Sequence, residues 1–343
     1  MKFHVGKKVK IMFLTGAAAS LIMVLGACSG DGNLNKAVDK PENNQEHEHG
    51  NKAGNGQGNQ DSGDPDEITL MHIHGLGYSV HGERILVPSH MGLTVYANGK
   101  WMAPTGELHD FMGFATVDDR FYSSGHPPEG STLENPLGLV VSDDEGKTLT
   151  FLDLYGEADF HGLTAGYKTH AIYVISPAVN SRMESKGLFY TLNEAKTWAK
   201  SEMNGITIAP SALAAHPTNE AVVAVGNQLG AFLSHDYGNH FAAFVEDMQT
   251  TALFYQYNGE LLVGGVRNGD AVLFRYHVES RQKDEIKIPV LEQDAIQYIS
   301  QNPMKTDELV FATFAKDVYL SEDKGQSWEK IADQGICLDG GKQ

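Results

Sequence analysis

One short pattern returns along this chain at a spacing that few folds can accommodate. Ser142-Asp143-Asp144-Glu145-Gly146-Lys147-Thr148, Ser234-His235-Asp236-Tyr237-Gly238-Asn239-His240 and Ser321-Glu322-Asp323-Lys324-Gly325-Gln326-Ser327-Trp328 share the form S-x-D-x-G-x-(S/T/H). Thr191-Leu192-Asn193-Glu194-Ala195-Lys196-Thr197-Trp198 is a degenerate copy. Each copy follows a short apolar run (GLVV, GLFY, GAFL, DVYL) and precedes another, so it reads as a hairpin turn. In such a turn Asp or Asn bonds its own backbone and Gly supplies a positive φ. The copies start at 142, 191, 234 and 321, and the last interval is close to twice the one before it, so one copy has lost its motif. AVLFRYHVES at 271–280 marks that diverged unit, and GLTVYANGKW at 92–101 marks an earlier one. Six units of about 45 residues, each reading as four short strands, predict an all-β, six-bladed propeller of four-stranded antiparallel blades. It spans 67–337, with 338–343 as a tail and a seventh blade as the alternative count. Residues 68–72 precede the first blade and the Cys337 segment follows the last, so pairing of the two ends would close the ring and protect its edges.

The chain ahead of the propeller has a different character. Lys2, Lys7, Lys8 and Lys10, an apolar segment at 11–25 and Leu25-Gly26-Ala27-Cys28 together read as a secretory signal over 1–27 that ends in a lipoprotein cleavage box. Cys28 is then the lipid-bearing first residue, and an uncleaved membrane anchor is the alternative. From 28 to 66 the composition is Asn, Gly, Gln, Asp, Glu and Lys with no aromatic residue, which predicts a disordered polar tether on the outer face of the cytoplasmic membrane. His47 and His49 within it read as solvated spacer residues able at most to catch a metal loosely. Loss of the first 27 residues removes four lysines and no acid, moving the formal net charge from −18 to −22. That balance argues against nucleic acid and against direct adhesion to anionic lipid, leaving the lipid anchor as the membrane contact. With Cys28 carrying lipid, Cys337 is the one other cysteine and no disulfide framework can be built, so stability must come from a core, and a monomer is the expectation.

Aligning the units brings out histidine. His74 to Ser89, His109 to Ser124 and His161 to Ser176 each span fifteen steps without a gap, which places His at the start of the innermost strand in three successive blades. The next blade has Ser211 there, and the last two have residues near Thr251 and Asp294. Such positions ring one mouth of a propeller channel, where ligand sites usually lie. Three neutral imidazoles at His74, His109 and His161 suit a zinc or copper ion with an open position for water or substrate. His72, Asp110 and Asp159 lie beside them in sequence, and His90 and His126 end second strands. The same residues equally fit a metal-free pocket for a small molecule or glycan, or hydrogen-bonded bridges between blades.

Hydrolysis is the other chemistry to weigh. A sialidase needs three arginines on the substrate carboxylate, and only Arg84, Arg120, Arg182, Arg267, Arg275 and Arg281 exist, with no early F/Y-R-I-P motif. Other glycosidases need two carboxylates about 5 Å or about 6.5–9.5 Å apart. Asp110, Asp159 and Asp294 are the channel-mouth candidates, with Glu157 close behind, and their bland role is to orient histidines or cap turns. Two long segments, 125–138 and 176–187, flank the histidine-bearing blades, and the second carries Arg182. Long loops gathered on one side of a rigid scaffold usually build a binding face.

The turn motif at Ser142, Asp144 and Gly146, at Ser234, Asp236 and Gly238, and at Ser321, Asp323, Gly325 and Trp328 resembles the Asp-box, or BNR repeat, of sialidase-like and sortilin-like propellers. With the lipobox, the tether, HIHGLGYS, HDFMGF, SSGHP, GEADFH and NSRM before GLFY, the chain is similar to a family of bacterial surface lipoproteins labelled glycosyl-hydrolase-like. The resemblance implies the propeller and its location, and carries no catalytic residues.

Overall fold

The computed structural model describes residues 68–339. The leader, Cys28, the tether and residues 340–343 lie outside the described residues. Blade 1 is β1 (Gly77–Tyr78), β2 (Ile85–Ser89), β3 (Gly92–Ala97) and β4 (Lys100–Met102); blade 2 is β5 (Asp110–Thr116), β6 (Phe121–His126), β7 (Leu139–Ser142) and β8 (Thr150–Asp153). Blade 3 is β9 (Gly162–Ala165), β10 (Ile172–Ser176), β11 (Gly187–Thr191) and β12 (Ala199–Lys200); blade 4 is β13 (Ala212–Ala215), β14 (Val223–Asn227), β15 (Gly230–Ser234) and β16 (Ala242–Val245). Blade 5 is β17 (Gln249–Tyr255), β18 (Leu261–Arg267), β19 (Asp270–His277) and β20 (Gln282–Ile286). Blade 6 is β21 (Ile296–Gln301), β22 (Leu309–Thr313), β23 (Val318–Ser321), β24 (Glu329–Asp333) and a fifth strand, β25 (Ile336–Cys337). Every blade is an antiparallel meander, and the inner strands β1, β5, β9, β13, β17 and β21 touch in a closed ring. The six-bladed propeller expected from the repeats is therefore the fold.

Its core is divided among the blade interfaces. In β2 the alternation of a strand sends Ile85 and Val87 into the cluster shared with blade 6 and Leu86 into the cluster shared with blade 2. Equivalent clusters join blades 2 and 3, 3 and 4, 4 and 5, and 5 and 6. Because each sheet is buried on both faces, its central strands are largely apolar and buried along their length, as in ILVPS and LVFAT, where Ser89 and Thr313 are the polar residues.

The two ends of the described chain close the ring. Thr69 bridges Ile336, the Cys337 amide donates to the Ile68 carbonyl at 3.0 Å, and the Leu70 amide donates to the Gly335 carbonyl at 2.7 Å. Leu70 is fully buried between blades 6 and 1, so the closure is both hydrogen-bonded and apolar.

The repeated turns are built as the motif requires. Ser142 Oγ donates to Asp144 Oδ1 at 2.8 Å and accepts the Gly146 amide at 2.8 Å, while Asp144 accepts the Thr148 amide and hydroxyl. The same bonds recur at Ser234 with Asp236 and Gly238, and at Ser321 with Asp323 and Gly325. In the degenerate copy Thr191 and Asn193 make them too, but Ala195 takes the φ of +63° that glycine fills elsewhere. Trp328, just after its turn, donates Nε1 to the carbonyl of Lys287, which follows β20 of blade 5, at 2.9 Å.

Candidate functional site

Strand register decides which histidines meet. Tyr78 pairs with Ile85, Thr116 with Phe121 and Ala165 with Ile172, so these three inner-strand residues are equivalent. Counting back from them at equal distance reaches His74 and His161, but Met112 in blade 2. There β5 is bulged: Phe114 pairs with Ser123 and Phe111 with Gly125, so one extra residue enters the strand. Gly113 sits in the bulge, where a Cβ would lie 2.1 Å from the Phe160 carbonyl oxygen, so only glycine lets blade 2 approach blade 3 this closely. The turn from Thr116 to Phe121 is also two residues shorter than those from Tyr78 to Ile85 and from Ala165 to Ile172, and the two differences together correct the gapless alignment of His109 with His74 and His161. His109 falls level with His72 and Asp159 instead. Its ring lies against Phe111 at 5.8 Å, its Nε2 faces Glu107 at 3.1 Å, its Nδ1 is buried without a partner, and burial lowers its pKa.

The residue that joins His74 is Asp110, the first residue of β5. Gly75 permits the contact between blades, since a Cβ there would lie 2.6 Å from Phe114 Cβ. His74 Nε2 faces Asp110 Oδ1 at 3.9 Å, both side chains are largely buried, and neither atom has a hydrogen-bond partner. Asp110 Oδ2 is 2.7 Å from Nδ1 of His90, which occupies the two-residue turn between β2 and β3. One donor atom from each of His74, His90 and Asp110 lies within 4.8 Å of the other two. His72 adds an imidazole whose ring centroid is 4.6 Å from that of His90, and the His74 and His90 rings are also 4.6 Å apart. Burial, aided by the neighbouring imidazoles and opposed by Asp110, pushes His74 down to about 4; burial and His90 likewise lower His72. His74 is therefore neutral at pH 7, with its lone pair available.

Alongside lies a differently charged group. Asp159 Oδ2 is 2.6 Å from His161 Nε2 and 3.2 Å from His126 Nε2. Hydrogen bonding to Asp159 raises His126 to about 9 and also raises His161. Burial opposes ionisation of Asp159, but hydrogen bonds from the two imidazoles outweigh it and hold the carboxyl at about 2. Asp159 Oδ1 is buried and unpartnered. The His161 charge acts on His74 and the Asp110 charge acts on His126 and His161, so the two groups are neighbours on one mouth.

Other sequence candidates are placed elsewhere or engaged. Arg182 points to Asp153 at the end of β8, Nε to Oδ2 at 2.9 Å, and Asp153 also accepts Trp198 Nε1 at 3.0 Å. Glu157 binds the amide and hydroxyl of Ser181. Asp294 accepts the amides of Ala295 and Ala315, a turn-capping role. The two long loops are pinned by fully buried Leu137 and Met183, and Asn135 in the first bonds His126 Nδ1. A cavity of about 60 Å³ lies at the other ends of the inner strands, among Thr116, Ala165, Tyr167, Ala215, Tyr255 and Tyr257.

At that far end stands a second donor cluster, Asp118, Asp119 and His170, which repeat alignment did not single out. Asp118 and Asp119 follow β5 and His170 precedes β10, so the signal was two polar hairpin turns in adjacent blades. Each donor is already engaged. His170 bonds Asp118 at 2.6 Å and the Tyr122 hydroxyl at 3.3 Å, Lys168 bonds Asp118 at 2.9 Å, and Arg120 bonds Asp119 at 2.7 Å.

No protein-family model matches the chain, and no curated protein matches it. Its structure is similar to that of a GH74 enzyme from Niastella koreensis, with a TM-score of 0.50 and 14% identity over 77% of this chain and 46% of that one. The chain thus spans about half the length of that enzyme. An ancestral GH74 enzyme matches with a TM-score of 0.49 and 12% identity, over 78% and 39% of the two chains. YCF48 from Cyanidioschyzon merolae matches with a TM-score of 0.44 and 14% identity, over 80% and 89%. At 14% identity the likeness to the Niastella koreensis enzyme is one of fold alone.

Proposed function

We propose that this propeller is a metal-binding module, held outside the cytoplasmic membrane by a lipid on Cys28, that takes one zinc or copper ion at His74, His90 and Asp110. The observation that carries the reading is the facing pair of buried, unpartnered atoms, His74 Nε2 and Asp110 Oδ1. A buried polar atom left alone costs about 1–3 kcal/mol, so two converging on one point call for a guest. Two ligands at 2.0–2.1 Å from a tetrahedral ion stand about 3.4 Å apart, so the 3.9 Å gap needs only a small side-chain adjustment. Mixed imidazole and carboxylate donors suit zinc and copper. Asp110 would both ligate and orient His90, and His72 would supply a further imidazole beside an otherwise open position.

Metal content and titration of the full-length chain test this, with His47 and His49 replaced by alanine to remove the tether's imidazoles. One ion per chain is expected, lost in His74→Ala and Asp110→Asn; no stoichiometric zinc or copper after controlled loading sinks the reading. Incorporation of labelled fatty acid, abolished in Cys28→Ala, tests the anchor.

A second reading, glycoside hydrolysis, draws on Asp110 and Asp159 sharing one mouth. Asp159, held ionised at about 2, suits a nucleophile or base, with Asp110 as the second carboxylate of the pair. Cleavage of aryl glycosides that vanishes in Asp110→Asn supports it, and inactivity on a broad panel removes it.

A further inference from the structure

We infer that the ion held at His74, His90 and Asp110 is copper, and that Met71 and Met91 offer it thioether sulfur when it is Cu(I). The inference rests on the metal-binding reading above and adds the identity of the ion. Met71 immediately precedes His72, and Met91 immediately follows His90. Both are exposed, at 56% and 50%, as are Met102 and Met304, whereas Met112, Met183 and Met248 are buried. His90 and Met91 form the whole of the turn between β2 and β3, which Ser89 and Gly92 close by pairing and which the Met91 amide tightens on Ser89 Oγ at 3.2 Å. Consecutive Cα atoms stand 3.8 Å apart, and methionine has three rotatable side-chain bonds, so a thioether beside each histidine can be swung toward the cluster. The two methionines are sequence neighbours of histidines whose rings meet, the His72 and His90 centroids being 4.6 Å apart.

Zinc needs nothing from this arrangement: two imidazoles and a carboxylate with an open position already suit it. Soft thioether donors are what distinguish a Cu(I) site, while imidazole and carboxylate serve Cu(II). Two solvent-exposed thioethers flanking an imidazole cluster are therefore the feature that separates copper from zinc. Met304 offers an internal control, exposed at 69% in a turn of blade 6 with Pro303 and Lys305 as neighbours.

Competition for Cu(I) against bicinchoninate under anaerobic, reducing conditions tests the inference, with Cu(II) and Zn(II) titrations run in parallel on the same full-length protein lacking His47 and His49. Met71→Leu with Met91→Leu should weaken Cu(I) about tenfold or more. It should leave Zn(II) unchanged, and Met304→Leu should change neither. Unaltered Cu(I) affinity in the double variant, while His74→Ala abolishes binding, overturns the copper assignment and leaves the metal site standing. A chain with both methionines that binds no zinc or copper overturns the site and this assignment together.

Discussion

Two donor clusters sit at the two ends of β5, and each brings three ligand-type side chains within bonding range of one another. At the start of the strand, His74, His90 and Asp110 converge with two buried atoms unpartnered. Past its end, Asp118, Asp119 and His170 converge with both His170 nitrogens bonded and with Lys168 and Arg120 on the carboxylates. Proximity of donors is common to both. What differs is whether the protein has already satisfied them, and only the first cluster leaves hydrogen-bonding capacity for something else.

The largest expected effect of this difference is on metal affinity. His74→Ala should weaken zinc or copper binding by about 100-fold or more, whereas His170→Ala should leave stoichiometry and affinity unchanged. Calorimetric titration of both variants checks it, and equal loss in the two would erase the distinction. At 100 times its dissociation constant the ion should add about 2.7 kcal/mol of stability, visible as a melting shift of several degrees that His74→Ala removes.

Next in size is the effect of breaking the satisfied cluster. Asp118→Asn takes the charged partner from the part-buried His170 and should cost about 1 kcal/mol in urea unfolding. A cost equal to that of Asp110→Asn in chelator-treated protein would contradict the comparison.

Smaller again is the pH response of the neighbouring His126 and Asp159. His126 is raised to about 9, so its contribution is present in full below the ordinary imidazole value of 6.5 and disappears as pH rises through about 9. Asp159 is depressed to about 2, so its contribution is present above the ordinary carboxylate value and disappears as pH falls through about 2. Part of the His126 side chain is exposed, so screening limits the effect to about 1 kcal/mol or less. Unfolding at pH 6 and pH 10, with and without His126→Gln, should show the loss only in the wild type. A titration of the His126 ring followed by NMR should move toward 6.5 in Asp159→Asn.

The smallest effect expected is that of Asp110→Asn on metal-free stability, within about 0.5 kcal/mol of the wild type. One of the oxygens it alters makes no hydrogen bond, and the amide can still meet His90. A loss of several kcal/mol would mean that Asp110 is a structural strut.

Much of this was legible in the residues. The S-x-D-x-G turns fixed the blade spacing, and Ser142, Asp144 and Gly146 make the local bonds the motif demands because those bonds join neighbours in sequence. The clustering of histidines toward one mouth was legible too, in His72, His74, His90, His126 and His161. Their partnerships were not. Equal spacing joined His74 to His109, but a turn after β5 that is two residues shorter than its counterparts, with one extra residue inside β5, sets His109 against Glu107 and brings Asp110 to His74.

The sequence by itself thus determined the propeller, its turns and the end of the channel that carries imidazoles, with six blades as the leading count, because each follows from periodicity or from contacts within a few residues. Tertiary structure alone decided which donors face one another. The contact between Asp110 and His90 crosses from one blade to the next, and the twofold period of a strand turns a single inserted residue into a change of face.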